Sequence, residues 1–217
     1  MQKSPGDIVE YARSGKHHCK GCVCHDSENS EFVNPGLSDY SSDVMFVTEE
    51  PKHQVCWDEE VDWEDWNEEF MMGYETAPGG EFMNRLLKGT VFNIGDVWIA
   101  DSIKCPTKAD EDLGTVEVSS RKAFDQCQHY LEHEIHEVDP ELIITLGNEA
   151  GERTLDIMDH SRNLSILSDC GELITDVEPQ IPVLLSPHWS AEIYYPDETE
   201  RCISTVQSKI SQFFGNN

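Results

Sequence analysis

The chain has 217 residues, 38% of them hydrophobic, and its 43 acidic against 15 basic side chains give a formal net charge of −28 at pH 7. That length and apolar content support one sizeable core, so we expect a single domain over 1–217 with its core at about 17–215. No run of about eighteen apolar residues occurs and the polar amino terminus lacks a signal-peptide core, which argues against membrane insertion and for a cytoplasmic protein, expected as a monomer.

The eight cysteines would fit a secreted disulfide scaffold, but that class is small and loop-rich, whereas this chain shows clear helix and strand periodicity. A reducing compartment fits better. So acidic a surface repels DNA in dilute buffer, yet at molar salt the Debye length falls to about 3 Å and long-range repulsion largely vanishes. The charge therefore points to a halophilic host. The other reading is a DNA mimic or a surface that excludes nucleic acid. The acid is spread along most of the chain instead of forming one tail, which favours the first.

Residues 1–18 are a polar lead-in with a weak helical stretch around 8–12, followed by a loop crowded with His17, His18, Cys19, Cys22, Cys24 and His25. Cysteine and histidine at such short spacing suit tetrahedral zinc. Positions 44–48 form a short apolar run, the pattern of a buried strand, with Glu49 and Glu50 just beyond its end. Segment 56–69 is acidic with Trp57, Trp63 and Trp66 interleaved. It reads as a solvated loop or short helix whose rings pack back on the body, or else as a lid or partner-docking element. Phe70 and Tyr74 precede a helix at 81–88, which Gly89 stops.

The stretch 97–105 is rich in aromatic and β-branched residues, and Pro106 ends its pairing, so Asp101 and Cys105 lie near the carboxyl end of a sheet. After an acidic turn at 108–114, Ser119 or Ser120 caps a helix whose apolar stripe runs through Ala123, Phe124, Cys127, Tyr130, Leu131, Ile135 and Val138, ended by Asp139 and Pro140. His129, His133 and His136 fall on its mainly polar face and read as solvated. Residues 142–146 form another buried strand, Gly147 and Asn148 open a helix through Met158, and 171–175 is a further short strand. The strand at 181–186 ends at Pro187 and His188, before a closing helix at 197–214 with Ile203, Val206, Ile210 and Phe213 on one stripe. This alternation predicts an α/β fold with a mostly parallel central sheet flanked by helices on both faces. Glu49, Asp101 and His188 then share the carboxyl edge, where open α/β sheets bind ligands.

Cys19, Cys22, Cys105 and Cys127 can close one site, since a C-x2-C pair joined by two remote cysteines is how iron–sulfur clusters and structural zinc recruit ligands. Together with 44–52, 99–105, 142–147 and 186–190, the order of these motifs resembles the family 4-like iron–sulfur uracil-DNA glycosylases, over nearly the whole chain. The resemblance implies a 4Fe-4S cluster on the four cysteines, with zinc as the alternative, and DNA as partner, single- or double-stranded and holding uracil or damage. It implies that Glu49 and His188 are catalytic and that Glu50, Asp101 and Tyr74 bind the base. Four positions depart from the family: Thr48 and Lys52 stand in place of two glycines, Asp101 in place of a base-reading asparagine, and Trp189 in place of a proline. Lys52 and Lys104 are the expected phosphate neighbours.

Cleaving an N-glycosidic bond requires stabilising the leaving base and supplying water on the opposite face. A neutral or protonated His188 and the carboxylate of Glu49 suit these tasks. The expected function is therefore a DNA repair glycosylase for uracil or a related deaminated base. The alternative is a non-catalytic nucleic-acid or repair-partner binding protein on the same fold.

Overall fold

A computed structural model of the chain describes residues 36–51, 71, 73–108 and 117–215. Cys19, Cys22, Cys24, Lys52, Cys56, Phe70 and the tryptophan-rich segment 56–69 lie outside the described residues.

Among the described residues, six strands form one sheet: β1 (Leu37–Ser38), β2 (Val44–Thr48), β3 (Trp98–Asp101), β4 (Leu142–Leu146), β5 (Leu173–Ile174) and β6 (Val183–Ser186), in the order β1-β3-β2-β4-β6-β5. The inner four, β3, β2, β4 and β6, run parallel, and the two-residue strands β1 and β5 are antiparallel edges. The inner strands are buried on both faces, which is why they read as continuous apolar runs instead of alternating ones.

Helices α1 (Pro78–Leu87), α2 (Ser120–Val138), α3 (Asn148–Ile157) and α6 (Pro196–Gly215) cover the sheet, and α4 (Ile166–Asp169) and α5 (Ala191–Tyr194) are single turns. On one face, Phe82, Met83 and Leu86 of α1 and Ile203, Val206 and Ile210 of α6 pack on Phe46, Ile99, Ile144 and Leu184. On the other, Leu131, Ile135 and Val138 of α2, Ala150 and Leu155 of α3 and Met158 at its end pack on Met45, Val47, Trp98, Ile143 and Leu185. Helices on both faces of a mostly parallel sheet are the expected architecture. Among the described residues, no helix is long and apolar enough to cross a membrane.

Several elements differ from the sequence reading. Pro78 starts α1 a turn early, because a proline in the first turn loses no helical hydrogen bond. The strand expected to reach Cys105 stops at Asp101 and the chain bends through 102–105. Ser119 caps α2, accepting from the Lys122 N–H at 3.4 Å, and Asp139 closes it at φ 51°. The α2 histidines need a correction: His136 is 83% exposed, but His129 and His133 are half-buried with shielded Nε2 atoms. They continue round the helix from the Tyr130 edge of the apolar stripe and so leave solvent with it.

Candidate active site at the carboxyl edge of the sheet

From β2 the chain moves to β3 on one side, and from β4 it moves to β5 and β6 on the other, so the carboxyl ends of β2 and β4 mark the switch point of the sheet, where open α/β folds bind ligands in a crevice. Glu49 follows β2, Asp101 ends β3, Gly147 follows β4 and His188 comes two residues after β6. The topology thus gathers the three predicted groups at one edge.

The β2 and β3 loops are tied together by polar contacts. Thr48 and Asp101 are register partners, and the Thr48 hydroxyl donates to Oδ1 of the buried Asp101. The main-chain carbonyl of Glu49 accepts from Ser102 Oγ at 2.7 Å, the Ile103 N–H at 3.1 Å and Arg153 Nη1 at 3.4 Å. Its carboxylate is about a third exposed, 3.6 Å from Lys108 Nζ. Glu50 turns inward, and its Oε2 accepts from the Thr107 N–H at 3.0 Å and from the Thr107 hydroxyl. Lys108 also reaches Oε1 of Glu50 at 3.4 Å. Partial burial works against the Lys108 charge, but the two carboxylates outweigh it and hold its pKa above the usual lysine value.

His188 is fixed from two sides. The Ser190 N–H donates to its Nδ1 at 3.3 Å, and Ser190 Oγ lies 2.7 Å from the same nitrogen. A backbone N–H can only donate, so with Nδ1 accepting from it the proton of a neutral ring would sit on Nε2. On the other side Gly147 has φ 96°, and a Cβ there would stand 3.1 Å from the Cβ of His188. Only glycine combines that backbone with so close a neighbour.

Tyr74 and Trp189 close the α1 side. The Tyr74 hydroxyl lies 3.8 Å from Met83 Sδ, and a Cβ on Gly79 would lie between that hydroxyl, at 3.3 Å, and Trp189 Cδ1, at 3.8 Å. Burial, and then the negative charge of Asp101, push the Tyr74 phenol well above its ordinary pKa, so it stays neutral. Tyr74 therefore shares its environment with Asp101. Beyond His188, Ile193, Tyr194 and Tyr195 are 66%, 74% and 52% exposed.

Cys105 and Cys127 come together in one buried apolar cluster with Ile103, Ala123, Phe124 and Tyr130. Their expected partners Cys19 and Cys22 lie outside the described residues. Among the described residues, no three potential metal ligands gather at any one place.

Two buried cations escaped the sequence reading. Lys104, expected beside a phosphate, is instead 1% exposed and paired with Glu134 Oε2 at 2.7 Å, while Oε1 of Glu134 accepts from the Gly36 N–H at 3.3 Å. Burial raises the Glu134 pKa against the pull of Lys104. Arg153 of α3 is 4% exposed, and its fork binds Ser102 Oγ at 3.1 Å and Glu149 at 2.9 Å as well as the Glu49 carbonyl. An acid and a base four residues apart on a helix normally read as a solvated pair, which hid Arg153. The Ser190 signal was available in sequence, since serine two residues after a histidine is placed to bind back to it.

A model of the uracil DNA glycosylase superfamily matches residues 35–209. A search of curated proteins returns no match.

Proposed function

The chain belongs to the uracil DNA glycosylase superfamily, and from that premise we propose that it is a DNA repair glycosylase that hydrolyses the N-glycosidic bond of uracil or a related deaminated or damaged base. The observation that carries this reading is the anchoring of His188 at the carboxyl edge, where Ser190 engages its Nδ1 through both the N–H and the hydroxyl and Nε2 is the nitrogen assigned to the base. In the reaction the bond from sugar C1′ to the base nitrogen breaks, and its electron pair leaves on the base as an anion delocalised onto oxygen. Nε2–H of His188 donates to that oxygen. Water adds to C1′, and its proton passes to the carboxylate of Glu49. Asp101 reads the base edge and Tyr74 lines the pocket as a neutral phenol. Glu50 frames it by holding the loop at Thr107.

The target base must leave the stack before it can reach this edge. Ile193, Tyr194 and Tyr195 supply apolar and aromatic surface beyond His188 to fill the vacated step or stack on a neighbouring base.

We also place the chain among the family 4-like iron–sulfur enzymes. Cys105 and Cys127, buried in one cluster, fit a thiolate-bound group, and Cys19 and Cys22 would complete the set of four. When bound, the cluster supplies a structural tie between remote segments of the chain. A 4Fe-4S cluster is our assignment and zinc its alternative. We attribute the net charge of −28 to a halophilic interior, with the protein acting in the cytoplasm as a monomer.

The test is single-turnover cleavage of oligonucleotides carrying uracil, hypoxanthine, xanthine or a mismatch, run at molar potassium chloride. We expect at least one to yield an abasic site, with His188→Ala slower by about 100-fold or more. Tight binding of every oligonucleotide without cleavage would replace this reading with the non-catalytic one.

A further inference from the structure

The polar chemistry at the site does not stop at the groups that face the crevice. Three donors converge on the main-chain carbonyl of Glu49: the Ile103 N–H, Ser102 Oγ and Arg153 Nη1. A carbonyl has two lone pairs, so this acceptor is more than filled. Two of the donors are linked, because the same Arg153 nitrogen lies 3.1 Å from Ser102 Oγ. The direction is consistent throughout: the guanidinium donates to the serine oxygen, and the serine hydroxyl donates on to Glu49.

Arg153 is an expensive way to hold a carbonyl if stability alone were needed. Its charge is withdrawn from water, and Glu149, its carboxylate partner, sits 57% exposed at the rim. Its carbon Cζ lies 5.6 Å from the centroid of Phe124, a residue of the cluster that holds Cys105 and Cys127. Arg153 thus spans from the cluster that holds the two cysteines to the backbone of the loop after β2. The planar fork matters, since an ammonium cannot bind Ser102, Glu49 and Glu149 from fixed directions at once.

We propose that Arg153 is a positioning residue that fixes the backbone of Glu49, and through it the direction of the Glu49 carboxylate toward the attacking water. The inference rests on the water-activating role assigned to Glu49. Fixing the carbonyl fixes the peptide plane beyond it and narrows the torsions from which the side chain departs. An error of about 1 Å at the carboxylate costs about 100-fold in rate.

The experiment is a double-variant cycle on the full-length protein with Arg153→Lys and Glu49→Gln, reading single-turnover rate, DNA affinity by anisotropy and melting temperature. Arg153→Lys is expected to slow cleavage by about 10- to 100-fold with affinity within about twofold of wild type. In the Glu49→Gln background it should slow nothing further, because the group it positions is already gone. Ser102→Ala, which loosens the same carbonyl without touching a charge, should behave in the same way and serves if Arg153→Lys folds poorly. Equal slowing by Arg153→Lys in both backgrounds, or a loss confined to affinity, overturns the positioning role alone. A Glu49→Gln protein as fast as wild type overturns the assignment of Glu49 and the positioning role with it.

Discussion

The hydroxyl of Thr48 donates to Oδ1 of Asp101 across paired strands, so two of the positions that depart from the family pattern are partners in one hydrogen bond. A glycine in place of Thr48 would leave that carboxylate oxygen without this donor.

This bond predicts how Asp101→Asn behaves. With Thr48 holding Oδ1, the asparagine amide turns Nδ2 toward the pocket and offers a donor to uracil O4, where an ionised aspartate repels it. An unmatched polar edge in a buried pocket costs about 1 to 3 kcal/mol, roughly 5- to 150-fold. Wild-type protein should therefore be slow on uracil near neutral pH and Asp101→Asn faster. Single-turnover rates of the two proteins on one uracil oligonucleotide decide it, and a fast wild type slowed by the substitution would refute the assigned pocket.

Cys105 and Cys127 share one buried cluster, and their replacement by alanine should remove metal and fold together, as should replacement of Cys19 or Cys22. Protein purified without oxygen should be brown with broad absorbance near roughly 400 nm. Stoichiometric zinc with no iron, measured by elemental analysis, would turn the assignment to the alternative.

The pair of Lys104 and Glu134 is buried at both ends, at 2% side-chain exposure each. Removing one partner strands the other charge, so Lys104→Met or Glu134→Leu alone should cost about 3 to 5 kcal/mol in denaturant unfolding. The double variant should recover most of that loss. If the two losses simply add, the pair is not coupled.

Lys108 is the exposed cation facing Glu49 and Glu50, and a DNA phosphate can compete for it. Lys108→Gln should weaken binding uniformly across sequences and reduce the salt slope of the affinity by about one. Its raised pKa has a definite sign. The stability it contributes is fully present below the ordinary value of 10.5 and is lost as pH rises through the higher folded-state value. The melting difference between wild type and Lys108→Gln should then be constant from about pH 6 to 9 and close only in more alkaline solution.

Screening relieves repulsion among carboxylates, so the melting temperature should climb between low and molar potassium chloride. A flat response would leave the charge to the DNA-mimic reading.

The inner strands were legible because each is buried on both faces and reads as a continuous apolar run, and Glu49, Asp101 and His188 were legible because they end such runs. The edge strands β1 and β5 were harder: 37–38 carries no pattern at all, and 171–175 supplied only two paired residues. Lys104 misled because a lysine after a strand end looks solvated, while its partner lies 30 residues away on α2. Arg153 was hidden because Glu149, four residues before it, makes it read as a solvated helix pair, while Ser102 and the Glu49 carbonyl come from other elements. What a charged residue does depends on a tertiary neighbour that local pattern does not encode.

The two-residue edges have a consequence for crowding at high salt. Where salt hides the acid, charge no longer keeps copies of the chain apart, and the edges of the sheet become the surfaces through which strands could join. Each rim strand is antiparallel to its neighbour and only two residues long. A second molecule would find a foothold of a few hydrogen bonds at most, too short a template for edge-to-edge growth. Among the described residues, resistance to edge-to-edge growth then rests on the backbone as much as on the charge.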